Sequence, residues 1–131
     1  MTRKSMALRD EDPPNDTIII VRGGLLEAHA VRKTTNDCLR DFGFIGLSVF
    51  AAIDMTMDDL CRTNDALSRP GKIRTTTFGD LRRTSFPVLP TFQRPHYSVI
   101  LADQENGTIE RLIGCFSAPL DNPAKMIGDS H

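Results

Sequence analysis

Residues Thr17 to Val21 read T-I-I-I-V, an unbroken β-branched run that passes directly into Arg22, Gly23 and Gly24. β-Branched side chains are stiff at χ1 and suit a pleated strand. A strand with one wet face alternates apolar and polar residues, and this one does not, so it is predicted to be buried on both faces. An arginine is awkward at the exit of such a strand. The expectation is that the strand delivers a cation to the floor of a cleft.

Leu25 to Phe42 has helical spacing, with Ala28, Val31, Thr35 and Phe42 on one face; Thr34, Thr35 and Asn36 suggest a break into two helices. Gly43 is placed to stop that helix in the left-handed conformation. Gly46 to Ala52 is a second apolar strand, and Thr56 with Asp59 resembles a capping box for a helix that Ser68 to Gly71 ends. Lys72 to Thr77 alternates as a half-exposed strand, and Gly79 to Ser85 is a short helix or turn. Three prolines (Pro87, Pro90, Pro95) make the following stretch an ordered loop. His96 to Asp103 is a fourth strand, with His96, Ser98 and Ile100 on one face and Tyr97, Val99 and Leu101 on the other. Gly107 to Phe116 is a last short helix or edge strand.

This order predicts an α+β (or α/β) fold: one small domain with a mixed sheet of four to five strands packed with two to four helices. Residues 1–16 are polar and proline-ended and read as a disordered arm, 17–116 as the domain, and 117–131 as a flexible tail. A length of 131 residues fits one domain with a real core.

Charge and cysteine content narrow the function classes. The net charge of −1 gives no global pull toward nucleic acid or an anionic membrane. Between Arg62 and Arg94, however, seven basic residues face two acids, a local excess of +5. Three widely spaced cysteines, without C-x-x-C, fit neither a disulfide framework nor a zinc site. With no apolar stretch resembling a secretory signal or a membrane span, the expectation is a cytoplasmic protein.

Three groups of residues could carry chemistry. Arg22, Gly23 and Gly24 could bind an anion: the glycines allow close approach of a ligand and Arg22 supplies a guanidinium. The spacing matches neither the phosphate loop nor the dinucleotide fingerprint, and the plainer alternative is a tight turn with Arg22 paired to Glu27 or Asp54. His96, beside Arg94, Tyr97 and Ser98, is placed to act as a general acid or base; otherwise it is a bonded histidine at a loop edge. His29 reads as solvated. Arg74, Arg82, Arg83 and Arg94, interleaved with Phe78, Phe86 and Phe92, could hold a phosphate backbone; the alternative is solvated charge over core aromatics. No H-E-x-x-H or G-x-S-x-G motif occurs, and no metal is expected.

The segment Val21 to Leu26, followed by a helix and then by Gly46 to Cys61, resembles the ADP-ribosyltransferase superfamily. Members place Arg-Gly or His-Gly at the end of an early strand, and a later Gly-Ile-Tyr-Phe-Ala strand runs into a helix. Here Gly46, Leu47, Ser48, Val49, Phe50 and Ala51 occupy a stretch of that type, with Val49 in place of the tyrosine. The chain has neither the Ser-Thr-Ser triplet nor Glu-x-Glu. The resemblance implies that NAD is the cofactor, held by Arg22, Gly23, Gly24 and Ser48. It also implies that one of Asp103, Gln104 and Glu105, with Gln104 the candidate, takes the third catalytic position.

Three functions follow as expectations. The first is a small, toxin-like ADP-ribosyltransferase using Arg22, Ser48 and Gln104. The second is a metal-free, toxin-like endoribonuclease using His96, with RNA bound by the four arginines. The third is a non-enzymatic module whose basic face or apolar patch docks a protein partner.

Overall fold

Strand β1 (Ile18–Arg22) runs through the middle of the molecule. Ile19, Ile20 and Val21 are fully buried, Ile19 and Val21 in one apolar cluster and Ile20 in another. The strand is thus covered on both sides, as its unbroken apolar run predicts. Burying each of these side chains contributes roughly 1.5–3 kcal/mol. The computed structural model in which this is seen describes residues 7–125.

The remaining elements are α1 (Ala28–Phe42), β2 (Gly46–Ala51), α2 (Met57–Thr63), α3 (Asp65–Ser68), β3 (Lys72–Thr77), α4 (Phe78–Arg83), β4 (Val88–Leu89), β5 (His96–Ile100), α5 (Asn106–Ile113) and β6 (Leu120–Asp121). The strands of the described residues form one sheet of six in the order β4-β5-β2-β1-β3-β6, and the fold is α+β. Every strand pairing among the described residues is antiparallel, not mixed as the sequence suggested. The added strands, β4 and β6, have two residues each, too few to show a periodicity.

One face of the sheet carries Ile19, Val21, Leu47, Val49, Tyr97 and Val99 against Val31 of α1, Leu81 of α4, and Ile109 and Leu112 of α5. On the other face, Ile20 and Ile73 pack beneath Leu60 and Cys61 of α2 and Leu67 of α3. Burial pushes the Cys61 thiol up to about 11, so it behaves as a small apolar side chain.

Local chemistry explains the element ends. Gly43, at φ 88°, donates its N–H to the Leu39 carbonyl and closes α1. The Thr56 hydroxyl accepts from the Asp59 N–H at 3.1 Å and starts α2. Helix α1 does not break at Thr34–Asn36: Thr35 is buried and its hydroxyl bonds back to the Val31 carbonyl at 2.8 Å.

Both ends of the described chain are tied to the sheet. Residues 7–16, expected as part of a disordered arm, run beside the loop before β5. Leu8 forms an isolated bridge with Thr91, and the Arg9 N–H donates to the Pro90 carbonyl at 2.8 Å. In the stretch expected as a flexible tail, the Ser117 N–H bonds the Thr75 carbonyl at 2.7 Å and β6 pairs with β3. Asn122 is fully buried, its amide donating to Leu67 and Pro70 carbonyls at 2.6 and 2.7 Å. Residues 1–6 and 126–131 of the expected arm and tail lie outside the described residues.

Candidate functional site

Helices α2 and α3 cover β1 and β3 but leave part of the same sheet face open over β2 and β5. The register there sets Ser48 opposite Ser98 and Phe50 opposite His96. Because side chains alternate along a strand, these four share a face. Ser48 is exposed, and Phe50 and His96 are half-buried.

The imidazole of His96 is held at both nitrogens. Nε2 lies 3.0 Å from Ser48 Oγ. Nδ1 lies 2.7 Å from Thr91 Oγ1 and 3.2 Å from the Thr91 carbonyl oxygen. A carbonyl only accepts, so the tautomer that satisfies the Thr91 carbonyl is the one with the proton on Nδ1, and in that tautomer Nε2 presents a lone pair to the Ser48 hydroxyl. Burial pushes the His96 pKa below its ordinary 6.5; the Thr91 carbonyl works against that shift, and the Arg9 charge adds to it. The lowered pKa favours the neutral imidazole, the form that can accept a proton. The Thr91 hydroxyl continues the network to Ser98 Oγ at 2.8 Å.

The walls are aromatic. Phe50 stands edge-on to His96 at 5.6 Å and Phe92 leans on it at 5.0 Å. Phe92 is 40% exposed and holds φ at 57°, a left-handed conformation that costs a non-glycine residue energy. Its ring also meets Phe42 at 5.7 Å.

Arg22 belongs to the same sheet face. Ile20 pairs with Phe50, and Arg22 and Ser48 lie two residues further on in the same direction along antiparallel strands. Arg22 is exposed, forms no ion pair among the described residues, and borders a shallow concavity with Asp65, Ala66, Arg69 and Pro70. Neither carboxylate considered from the sequence holds it: Asp54 bonds Arg94 at 3.3 Å, and Glu27 stands 3.8 Å from His29. Gly23 and Gly24 open a 3-10 turn before α1. A Cβ at Gly23 would come within 3.1 Å of the Lys72 carbonyl oxygen, so close packing on β3 accounts for that glycine without a ligand.

Gln104 lies elsewhere. Its amide donates to Thr35 Oγ1 at 2.8 Å and Asn36 Oδ1 at 2.7 Å, pinning the loop after β5 to α1. Asp103 accepts from the Glu105 N–H at 3.0 Å, within the same loop. The four arginines of the expected nucleic-acid face are each bonded to protein acceptors. Arg74 donates to the Ser117 carbonyl at 2.7 Å, Arg82 to Asp12 at 2.6 Å, and Arg83 to Asp80. Arg94 donates to Glu11 at 2.7 Å and also reaches Asp54.

Sequence reasoning named Ser48 and His96 for two different functions, and the structure sets them in contact. It missed Thr91, Arg9 and Glu11, whose positions depend on how the proline-rich loop and the N-terminal segment fold over. Among the described residues, no group of three or more His, Cys, Asp or Glu side chains could hold a metal ion, and no helix is long and apolar enough to cross a membrane.

No protein-family model, curated protein or solved structure matches the chain.

Proposed function

We propose that this protein is an enzyme in which Ser48 is the nucleophile, His96 its general base and Thr91 the residue that fixes the imidazole. Arg22, on the same sheet face, receives an anionic part of the substrate. One observation carries the reading: an exposed serine hydroxyl lies 3.0 Å from an imidazole nitrogen whose ring partner is committed to a carbonyl.

The chemistry follows from that tautomer. As Ser48 Oγ bonds to a carbonyl carbon or phosphorus, its proton moves to His96 Nε2. The imidazolium then returns the proton to the leaving group as the old bond breaks, and water repeats the sequence to release Ser48. The orienting group is a neutral carbonyl where a carboxylate would stabilise the imidazolium more strongly, so substrates with a good leaving group are favoured.

The transferase expectation keeps Arg22 and Ser48 on this face, but Gln104 is tied to α1 and does not join them. The ribonuclease expectation keeps His96, whereas its arginines already bond protein acceptors. NAD, mononucleotides and short RNA therefore enter as arms of one thermal-shift screen, since a ligand of the native state raises the melting temperature.

The deciding experiment is labelling with a fluorophosphonate, located by mass spectrometry. Ser48 should be modified in the native chain and in no Ser48→Ala protein, and His96→Ala should slow the reaction by roughly 10²-fold or more, the scale of general-base assistance. A folded chain whose Ser48 stays unmodified refutes the proposal.

A further inference from the structure

The segment that brings Arg9 to the sheet does more than cover an edge. The Arg9 guanidinium donates through one terminal nitrogen to the Thr91 carbonyl at 2.8 Å and through the other to the His96 carbonyl at 3.0 Å. Its Nε bonds Glu11 Oε1 at 2.9 Å, and its plane lies over the Tyr97 ring, 4.9 Å from the centroid. Each of the three guanidinium nitrogens thus makes a bond, a pattern that a lysine could not reproduce. The side chain is 18% exposed. The main chain is stitched alongside: the Arg9 N–H meets the Pro90 carbonyl and the Phe92 N–H meets the Ala7 carbonyl, both at 2.8 Å.

The two carbonyls that Arg9 holds belong to the two residues whose relative placement decides where the imidazole points. The Thr91 carbonyl held by Arg9 is the same oxygen that fixes the Nδ1 proton of His96. Between them the loop carries Phe92 at a positive φ, a conformation that persists only where its surroundings enforce it. We propose that Arg9 is a positioning residue: by gripping Thr91 and His96 through their carbonyls it sets the imidazole against Ser48, making the N-terminal segment part of the site. The inference rests on the reading of Ser48 and His96 as the reactive pair.

The test compares full-length protein with Arg9→Ala and Arg9→Lys in two measurements. The first is the pH dependence of fluorophosphonate labelling at Ser48. The second is the titration of His96 followed by NMR, which needs no activity. Loss of Arg9 is expected to slow labelling on the order of 10-fold or more, the scale on which misplaced catalytic groups lose rate. It should also move the His96 midpoint upward, because a nearby cation no longer opposes protonation. Lysine should restore the midpoint through its charge but not the rate. A merely structural Arg9 would lower the melting temperature and leave the pH profile in place. Native labelling with an unchanged rate and midpoint in a folded Arg9→Ala chain would overturn the inference. If that variant does not fold, Arg9→Lys decides: a native rate overturns the inference and a lowered rate supports it. If the native chain is not labelled, the serine reading fails by itself. The His96 titration then judges Arg9 separately, an unmoved midpoint counting against it.

Discussion

The Tyr97 hydroxyl donates to Glu11 Oε1 at 2.8 Å, joining a strand residue whose ring is fully buried to a segment 86 positions earlier in the chain. Burial alone would raise the Glu11 pKa, but hydrogen bonds from Tyr97, Arg94 and Arg9 outweigh it and hold the carboxyl down to about 2, from an ordinary 4.5. The same contact, together with burial, lifts the Tyr97 hydroxyl to about 12.

Because the folded carboxyl is the stronger acid, its contribution to stability is complete above pH 4.5 and is lost as pH falls toward about 2. Glu11→Gln should lower the unfolding free energy at neutral pH by on the order of 1–2 kcal/mol, since solvent around the partly exposed carboxyl screens part of the interaction. The difference should vanish near the acid end. Urea unfolding measured over a pH series checks both.

His96 acts with the opposite charge change. Its folded pKa is depressed, so the unfolded chain takes up the proton first, and stability should fall as pH drops below 6.5 toward the folded midpoint. The rate of Ser48 labelling should rise through that same lowered midpoint and then level off. A rate that climbs only well above 6.5 would mean that another group is the base.

Thr91 separates two roles in one residue. Thr91→Val removes the hydroxyl bonded to His96 and Ser98 and leaves the carbonyl that fixes the tautomer. Labelling should slow only a few-fold, while stability falls by about 1 kcal/mol for the lost hydrogen bonds. Calorimetry and labelling kinetics on one preparation give both numbers.

Much of the fold was legible because its signals are local. The strand read at Thr17–Val21, the glycine stop at Gly43 and the Thr56 cap each depend on a few neighbouring residues and are found in place, although only Ile19, Ile20 and Val21 of that run are buried and Ile18 is exposed. Strand direction was not legible, since the order of elements says nothing about whether a crossover reverses the chain. The site was half legible. Alternation put His96 and Ser98 on one strand face, but contact with Ser48 needed the β2–β5 register. Thr91 and Arg9 reach it through non-local folding that has no periodic signature.

Asn122 shows the same limit at the other end of the chain. It falls in the stretch expected as a flexible tail, yet its buried amide satisfies two carbonyls at the end of α3. Asn122→Ala should destabilise the protein by about 2 kcal/mol, the cost of stranding buried acceptors, and leave Ser48 labelling unchanged. Denaturant unfolding beside a labelling assay checks the pair.

The central claim is that His96 holds its proton on Nδ1 and turns a bare Nε2 toward Ser48. Nitrogen-15 NMR of the imidazole at neutral pH measures this directly. The account requires a neutral ring with the Nδ1–H tautomer; a ring protonated on Nε2, whether as the other tautomer or as the cation, would contradict it.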